Sequence, residues 1–173
     1  GEDHRLPWLK IMAGAPATPR HPLAARFGER FALLGYTLEP DGTALQAGQA
    51  LTVSLYFQTQ APVAEDLIRF VHLYGPELGL IAQADTRPAG GRNPTWAWQA
   101  GEVVVDEVVL VVPPEAAAGR YALLAGFYEP DGVLRLYVED ETGEAAPDRA
   151  LVLSELWITP SGDAPVEPQP GMP

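Results

Sequence analysis

The feature that most constrains this chain is its punctuation: eighteen prolines and seventeen glycines, about a fifth of 173 residues, fall between short apolar runs. Proline removes a backbone donor and stops helices, and both residues mark turns, so long helices have little room. What remains between the breaks is strand-like. Leu51-Thr52-Val53-Ser54-Leu55-Tyr56-Phe57-Gln58 alternates strictly, which places Leu51, Val53, Leu55 and Phe57 on one face and Thr52, Ser54, Tyr56 and Gln58 on the other. That pattern predicts a half-buried strand.

Similar runs occur at Phe31 to Leu38, Leu67 to Tyr74, Leu80 to Asp85, Val103 to Val112, Tyr121 to Tyr128, Val133 to Val138 and Leu151 to Ile158. About eight strands separated by turn signals predict an all-β fold, a two-sheet antiparallel β-sandwich of jelly-roll-like type. Tyr121, Leu123, Ala125 and Phe127 share an expected core face, as do Leu134, Leu136 and Val138. Val103 to Val112 is apolar at both parities, which predicts either a central strand covered on both sides or a face that meets another protein. Glu39-Pro40-Asp41-Gly42 and Glu129-Pro130-Asp131-Gly132 repeat one tetrapeptide, and turn chemistry predicts a hairpin at each. The two ends are rich in proline and small residues. Residues 1–22 read as a linker, 23–160 as the sandwich and 161–173 as an acidic tail, with Trp8 and Leu9 as the one pair suited to docking on the sandwich.

Charge and composition exclude several functions. Eleven basic against twenty-three acidic residues give a net charge of −12, which opposes any surface that tracks phosphates, so no nucleic acid partner is expected. No apolar stretch is long enough for a membrane helix, and Asp106 and Glu107 break the most apolar one, so no direct membrane insertion is expected. The chain begins at Gly1 without a signal-peptide pattern and reads as a fragment of a longer protein. It contains no cysteine, hence neither a disulfide framework nor a thiolate metal site. Ser54, Ser154 and Ser161 lie outside any G-x-S-x-G elbow. His4, His21 and His72 are scattered, which predicts no catalytic metal; no phosphate loop precedes a helix, and no cofactor is implied.

The candidate binding residues therefore come from aromatics and carboxylates. Trp96 and Trp98, two apart in an expected extended segment, would face the same way and stack on sugar rings, with Asp85, Asn93 and Arg92 bonding hydroxyls. The competing reading has these rings capping the open end of the sandwich. His72 alternates with Phe70 and Tyr74, either as a hydrogen-bonded core histidine or as a polar group at a ligand pocket. Asp85 and Asp106 sit among apolar neighbours, where Arg69, Arg87 and Arg92 are the available partners. A glycosidase using carboxylates alone would have to use Asp85 with Asp106. Asp131, Glu139, Asp140 and Glu141 could hold Ca²⁺ but lack its loop spacing.

An ordered series of short motifs runs through the same region: Leu34-Gly35-Tyr36, Leu51 to Phe57, Phe70-Val71-His72-Leu73, Ala82 to Asp85 with Pro88, Pro94-Thr95 with Trp98, Gly101-Glu102 with Asp106, Val112-Pro113-Pro114 with Gly119-Arg120-Tyr121, and Gly126-Phe127-Tyr128. In order and spacing this series resembles the β-sandwich domain at the C-terminal, extracytoplasmic end of bacterial multi-span membrane glycosyltransferases that use polyprenyl-phosphate sugars. The resemblance covers about Pro22 to Ile158, with Tyr56-Phe57 in place of the family's Tyr-Trp pair. It implies a non-catalytic accessory module, tethered outside the cytoplasm, whose parent carries the catalysis. Its partners would be a glycan, bound weakly, or the transmembrane part of its own parent chain. The alternative is a structural or protein-protein interaction module that binds no sugar.

Overall fold

A computed structural model describes Pro16–Ser161. Ten strands run in chain order: β1 His21–Phe27, β2 Phe31–Glu39, β3 Ala44–Gln46, β4 Ala50–Gln58, β5 Ile68–Gly75, β6 Gly79–Thr86, β7 Val103–Val111, β8 Gly119–Tyr128, β9 Val138–Glu139 and β10 Leu151–Thr159. They form two five-stranded sheets, ordered β7-β4-β2-β1-β9 and β3-β10-β8-β5-β6. All pairings are antiparallel except β3 with β10. Among the described residues there is no α-helix, only 3-10 turns at Pro88–Gly91, Thr95–Ala97 and Pro147–Arg149. The chain is an all-β two-sheet sandwich, as alternation and turn chemistry predict.

The core lies between the sheets. Phe27, Phe31, Phe57, Phe127 and Trp98 interlock there edge-to-face or tilted, with Phe57 and Trp98 stacked, and ring centroids 4.6 to 6.0 Å apart. Tyr36 spans the core and donates its hydroxyl to the Leu153 carbonyl oxygen at 2.8 Å. Arg69 of β5 and Asp106 of β7 join the sheets at one margin, Nε to Oδ2 at 2.7 Å, both nearly inaccessible. Ala89 N–H donates to the other carboxylate oxygen at 3.0 Å, while Arg69 also donates to Ala84 O and Thr86 Oγ1. Every polar atom of this interior pair faces a partner, the condition for retaining charge in a core.

Several expectations are corrected. Val103 to Val111 is neither central nor covered on both sides: β7 is an outer strand of its sheet, with Val104, Asp106, Val108 and Leu110 inward and Val109 and Val111 exposed. The β4 strand is more than half-buried, because Ser54 and Tyr56 on its outer parity are covered as well. The run Val133 to Val138 yields only the short β9, and Leu134 is exposed rather than in the core. There Asp131 Oδ1 accepts the N–H groups of Val133 and Leu134, drawing them out of any ladder.

The repeated Glu-Pro-Asp-Gly sequences diverge. Glu129 to Gly132 makes a local hairpin, closed by Glu129 N–H to Leu134 O at 2.7 Å and a Tyr128–Arg135 bridge, before the chain passes from β8 in the second sheet to β9 in the first. Glu39 to Gly42 likewise carries the chain across, from β2 in the first sheet to β3 in the second, but without a local hairpin on the way. Turn residues set the reversal, and the strands that follow choose the partner. The sequence runs also miss β1 and β3. β1 opens at His21, contains Pro22 and is interrupted by a register shift between Pro22 and Ala25, while β3 is three residues long, so neither carries a readable alternation. Trp8, Leu9 and the tail beyond Ser161 lie outside the described residues.

Candidate functional site on the outer face of the second sheet

The side chains of β10, β8, β5 and β6 that point away from the core form the floor of a concavity of about 710 Å³. Strand alternation puts Val71 and Leu73 in the core and Phe70, His72 and Tyr74 outside; Leu123 and Ala125 in the core and Ala122, Leu124 and Tyr128 outside. Register then sets His72 opposite both Leu124 and Gln83, and Tyr74 opposite both Ala122 and Leu80. Val152 of β10 continues the floor.

Two turns raise a wall at one end. Arg135 reaches back over the sheet, with its guanidinium carbon 4.5 Å from the Phe70 ring centroid and 5.5 Å from that of Tyr128. Its Nη1 donates to Asp148 O at 3.0 Å, and Arg149 Nη1 donates to Arg135 O at 2.8 Å, so the two turns hold each other. Phe70 is fully buried beneath them although it faces away from the core. Gly126 makes this possible, because a Cβ there would stand 2.6 Å from Phe70 Cε1. Asp148 and Arg149 adopt φ of 56° and 52°, two consecutive non-glycine residues in the left-handed region at the rim of the concavity. Such backbone persists only where surrounding contacts fix it, and it concentrates at functional sites.

His72 Nε2 lies 2.9 Å from Asp85 Oδ1. Burial pushes the imidazole below its ordinary value, Asp85 pulls the other way, and the nearby Arg135 charge adds to the depression. A neutral ring hydrogen-bonded to a carboxylate leaves the couple with one net negative charge, partly exposed through Asp85.

The six residues singled out from sequence are not one site. His72 and Asp85 meet on this face, whereas Trp96, Trp98, Asn93 and Arg92 belong to the loop between β6 and β7. Trp96 and Trp98 do not share a side, because Thr95–Ala97 forms a 3-10 turn in which residues two apart diverge by roughly 240°. Trp98 is in the core, stacked 5.5 Å from Phe57, with its indole N–H donated to Asn93 O at 3.0 Å. Trp96 is 59% exposed and alone. Arg92 donates to Ala89 O within its own loop. Arg87 pairs with Asp66, and Asp106 takes Arg69 as its partner. Asp85 points outward and Asp106 into the core, so no common cleft lies between these carboxylates for glycoside cleavage. Asp131 and Asp140 each accept N–H groups of their own turns.

Sequence reasoning missed Tyr74, Gln83, Tyr128 and Arg135 as site residues. The signal for Tyr74 was legible: Phe70, His72 and Tyr74 share one parity while Val71 and Leu73 hold the other. Arg135 gave none, since a turn brings it back over the strand. Chemically, the floor combines an aromatic ring, aliphatic patches and groups that both donate and accept hydrogen bonds, an arrangement suited to amphipathic rings with hydroxyl rims.

No family model and no curated protein sequence matches the chain. Among solved structures, the crystal structure of a Niemann-Pick type C2 protein from Japanese carpenter ant aligns with 73% of this chain and 91% of that one, at 10% sequence identity and a TM-score of 0.42.

Proposed function

We propose that this domain is a non-catalytic binding module that takes glycan weakly on the outer face of its second sheet, as an accessory part of a bacterial membrane glycosyltransferase. The observation that carries the reading is the concavity itself, where the half-exposed Tyr74 ring adjoins Gln83 and the His72–Asp85 couple. An exposed ring stacks on the apolar face of a pyranose, and fixed polar groups at its edge orient the hydroxyls. The ordered motifs from Leu34-Gly35-Tyr36 to Gly126-Phe127-Tyr128 support the parent and its extracytoplasmic setting. The opposed directions of Asp85 and Asp106 support the absence of catalysis. Affinity should fall in the micromolar to millimolar range, roughly −4 to −8 kcal/mol, as suits an open site.

A glycan array followed by titration of the isolated domain tests the proposal. Binding should disappear in Tyr74→Ala and Gln83→Ala and persist in Trp96→Ala; binding that depends on Trp96 instead would move the site to the loop between β6 and β7. A second reading, a protein-interaction module, is favoured by the exposed valines of β7, Val109 and Val111. Sugar-blind behaviour together with capture of a protein partner sensitive to Val109→Lys would establish it.

A further inference from the structure

The concavity is one part of a longer track. β8 runs beneath its whole length, and its outward positions continue past Ala122 to Arg120, which register places beside Trp157 of β10. Trp157 is half-exposed on the same outer face, with the Arg120 guanidinium carbon 5.4 Å from its ring centroid. Two residues along a strand advance roughly 7 Å, so Tyr128 to Arg120 spans about 27 Å, several times what one sugar ring covers. The ring of Tyr74, opposite Ala122, lies between the walled end and Trp157.

Charge along the track cancels in pairs. Arg120 Nη1 stands 3.6 Å from Glu155 Oε2, and at the walled end the single negative charge of the His72–Asp85 couple is set against the positive charge of Arg135, near enough to act on the His72 ring. In a chain of net charge −12, positive charge on this face is matched by negative charge nearby, so the face lacks the excess of positive charge that an acidic polymer would require. Spaced rings separated by paired polar groups suit a neutral, hydroxyl-rich chain.

Resting on the glycan reading above, we infer that the ligand is a linear, uncharged oligosaccharide lying along β8, anchored at the walled end near Tyr74 and His72 and extended over Trp157. Each added sugar unit that reaches Trp157 contributes contact without disturbing the anchored end. Chain length therefore sets affinity.

The test is calorimetric titration of the domain with matched di- and hexasaccharides: cellobiose and cellohexaose, maltose and maltohexaose, mannobiose and mannohexaose. The expected result is one pair in which the hexasaccharide binds at least tenfold tighter, with Trp157→Ala reducing it to the affinity of the disaccharide and leaving the disaccharide unchanged. Trp157→Leu and Arg120→Ala, read alongside thermal unfolding, separate lost contact from lost fold. Equal affinity of both lengths overturns the track and leaves the glycan site standing. Tighter binding of an oligogalacturonate overturns the neutral-chain assignment. No binding by any sugar, in a folded domain, overturns both the track and the reading on which it rests.

Discussion

Each sheet buries one large aromatic on the side that faces away from the core, and the two do so differently. On the first sheet, Tyr56 is covered by the domain's own backbone: its hydroxyl donates to Pro16 O at 2.7 Å. The segment Pro16 to Arg20 lies so close that a Cβ on Gly35 would stand 2.8 Å from Pro19. A cavity of about 140 Å³ remains beside this strap, and a separate hollow of about 350 Å³ lies farther along the same sheet at Arg26, Ala32 and Gln58. On the second sheet, Phe70 is covered by a guanidinium and two turns at one end, and about 710 Å³ stays open beside them. A strap of main chain closes the part of a face that it crosses, whereas a wall built at a face's end shapes the space beside it.

The harshest way to break this contrast is to remove what both faces share. Asp106→Ala leaves the buried Arg69 charge unpaired and should cost about 3–5 kcal/mol in denaturant unfolding, loosening both faces together. A loss under about 1 kcal/mol would show that the pair does not tie the sheets. Sharper is the comparison of Gly126→Ala with Tyr56→Phe. The first drives a methyl group against Phe70 and within 3.1 Å of Arg149 O, which should cost about 1–3 kcal/mol and abolish glycan binding. The second removes the bond to Pro16 O and the one accepted from Thr37 Oγ1 on the first sheet, and should cost about 0.5–1.5 kcal/mol for each, with binding intact. If both variants weaken binding equally, the two faces are coupled rather than independent.

The mildest effect is on pH. Because burial lowers the folded His72 value below its ordinary 6.5, the unfolded chain takes up the proton first as pH falls. The contribution of His72 to stability is therefore complete above about 6.5, declines below it and levels off once the folded ring is protonated. His72→Gln should flatten that part of the profile of melting temperature between about pH 7.5 and 5.5, and an unchanged slope would assign it to other groups.

The sandwich was legible in the sequence because eight runs alternate or remain apolar between turn signals, and burial on a pleated sheet demands that pattern. The register between sheets was not, as the two Glu-Pro-Asp-Gly sequences illustrate: both lead into the opposite sheet, but only the second first folds back into a local hairpin. At the site, His72 stood out as a polar residue on an alternating strand. The Trp96–Trp98 pair misled because a 3-10 turn replaced the extended backbone on which their common direction depended. Arg135 depends on a turn folding back, a contact between residues whose closeness no local pattern encodes.

Asp106 has a consequence beyond holding Arg69. β7 contains six valines in nine residues and forms the margin of its sheet, the kind of segment whose spare backbone groups invite a strand from another molecule. Asp106 and Glu107 split it into apolar runs of three and four residues. The inward carboxylate also fastens the Pro88–Gly91 turn beside the strand through the Ala89 N–H. A second chain stacking in register on this margin would have to align one acidic pair on another and bury a carboxylate without its arginine. The residue that ties the two sheets within one molecule thus discourages the assembly of many molecules into a fibre.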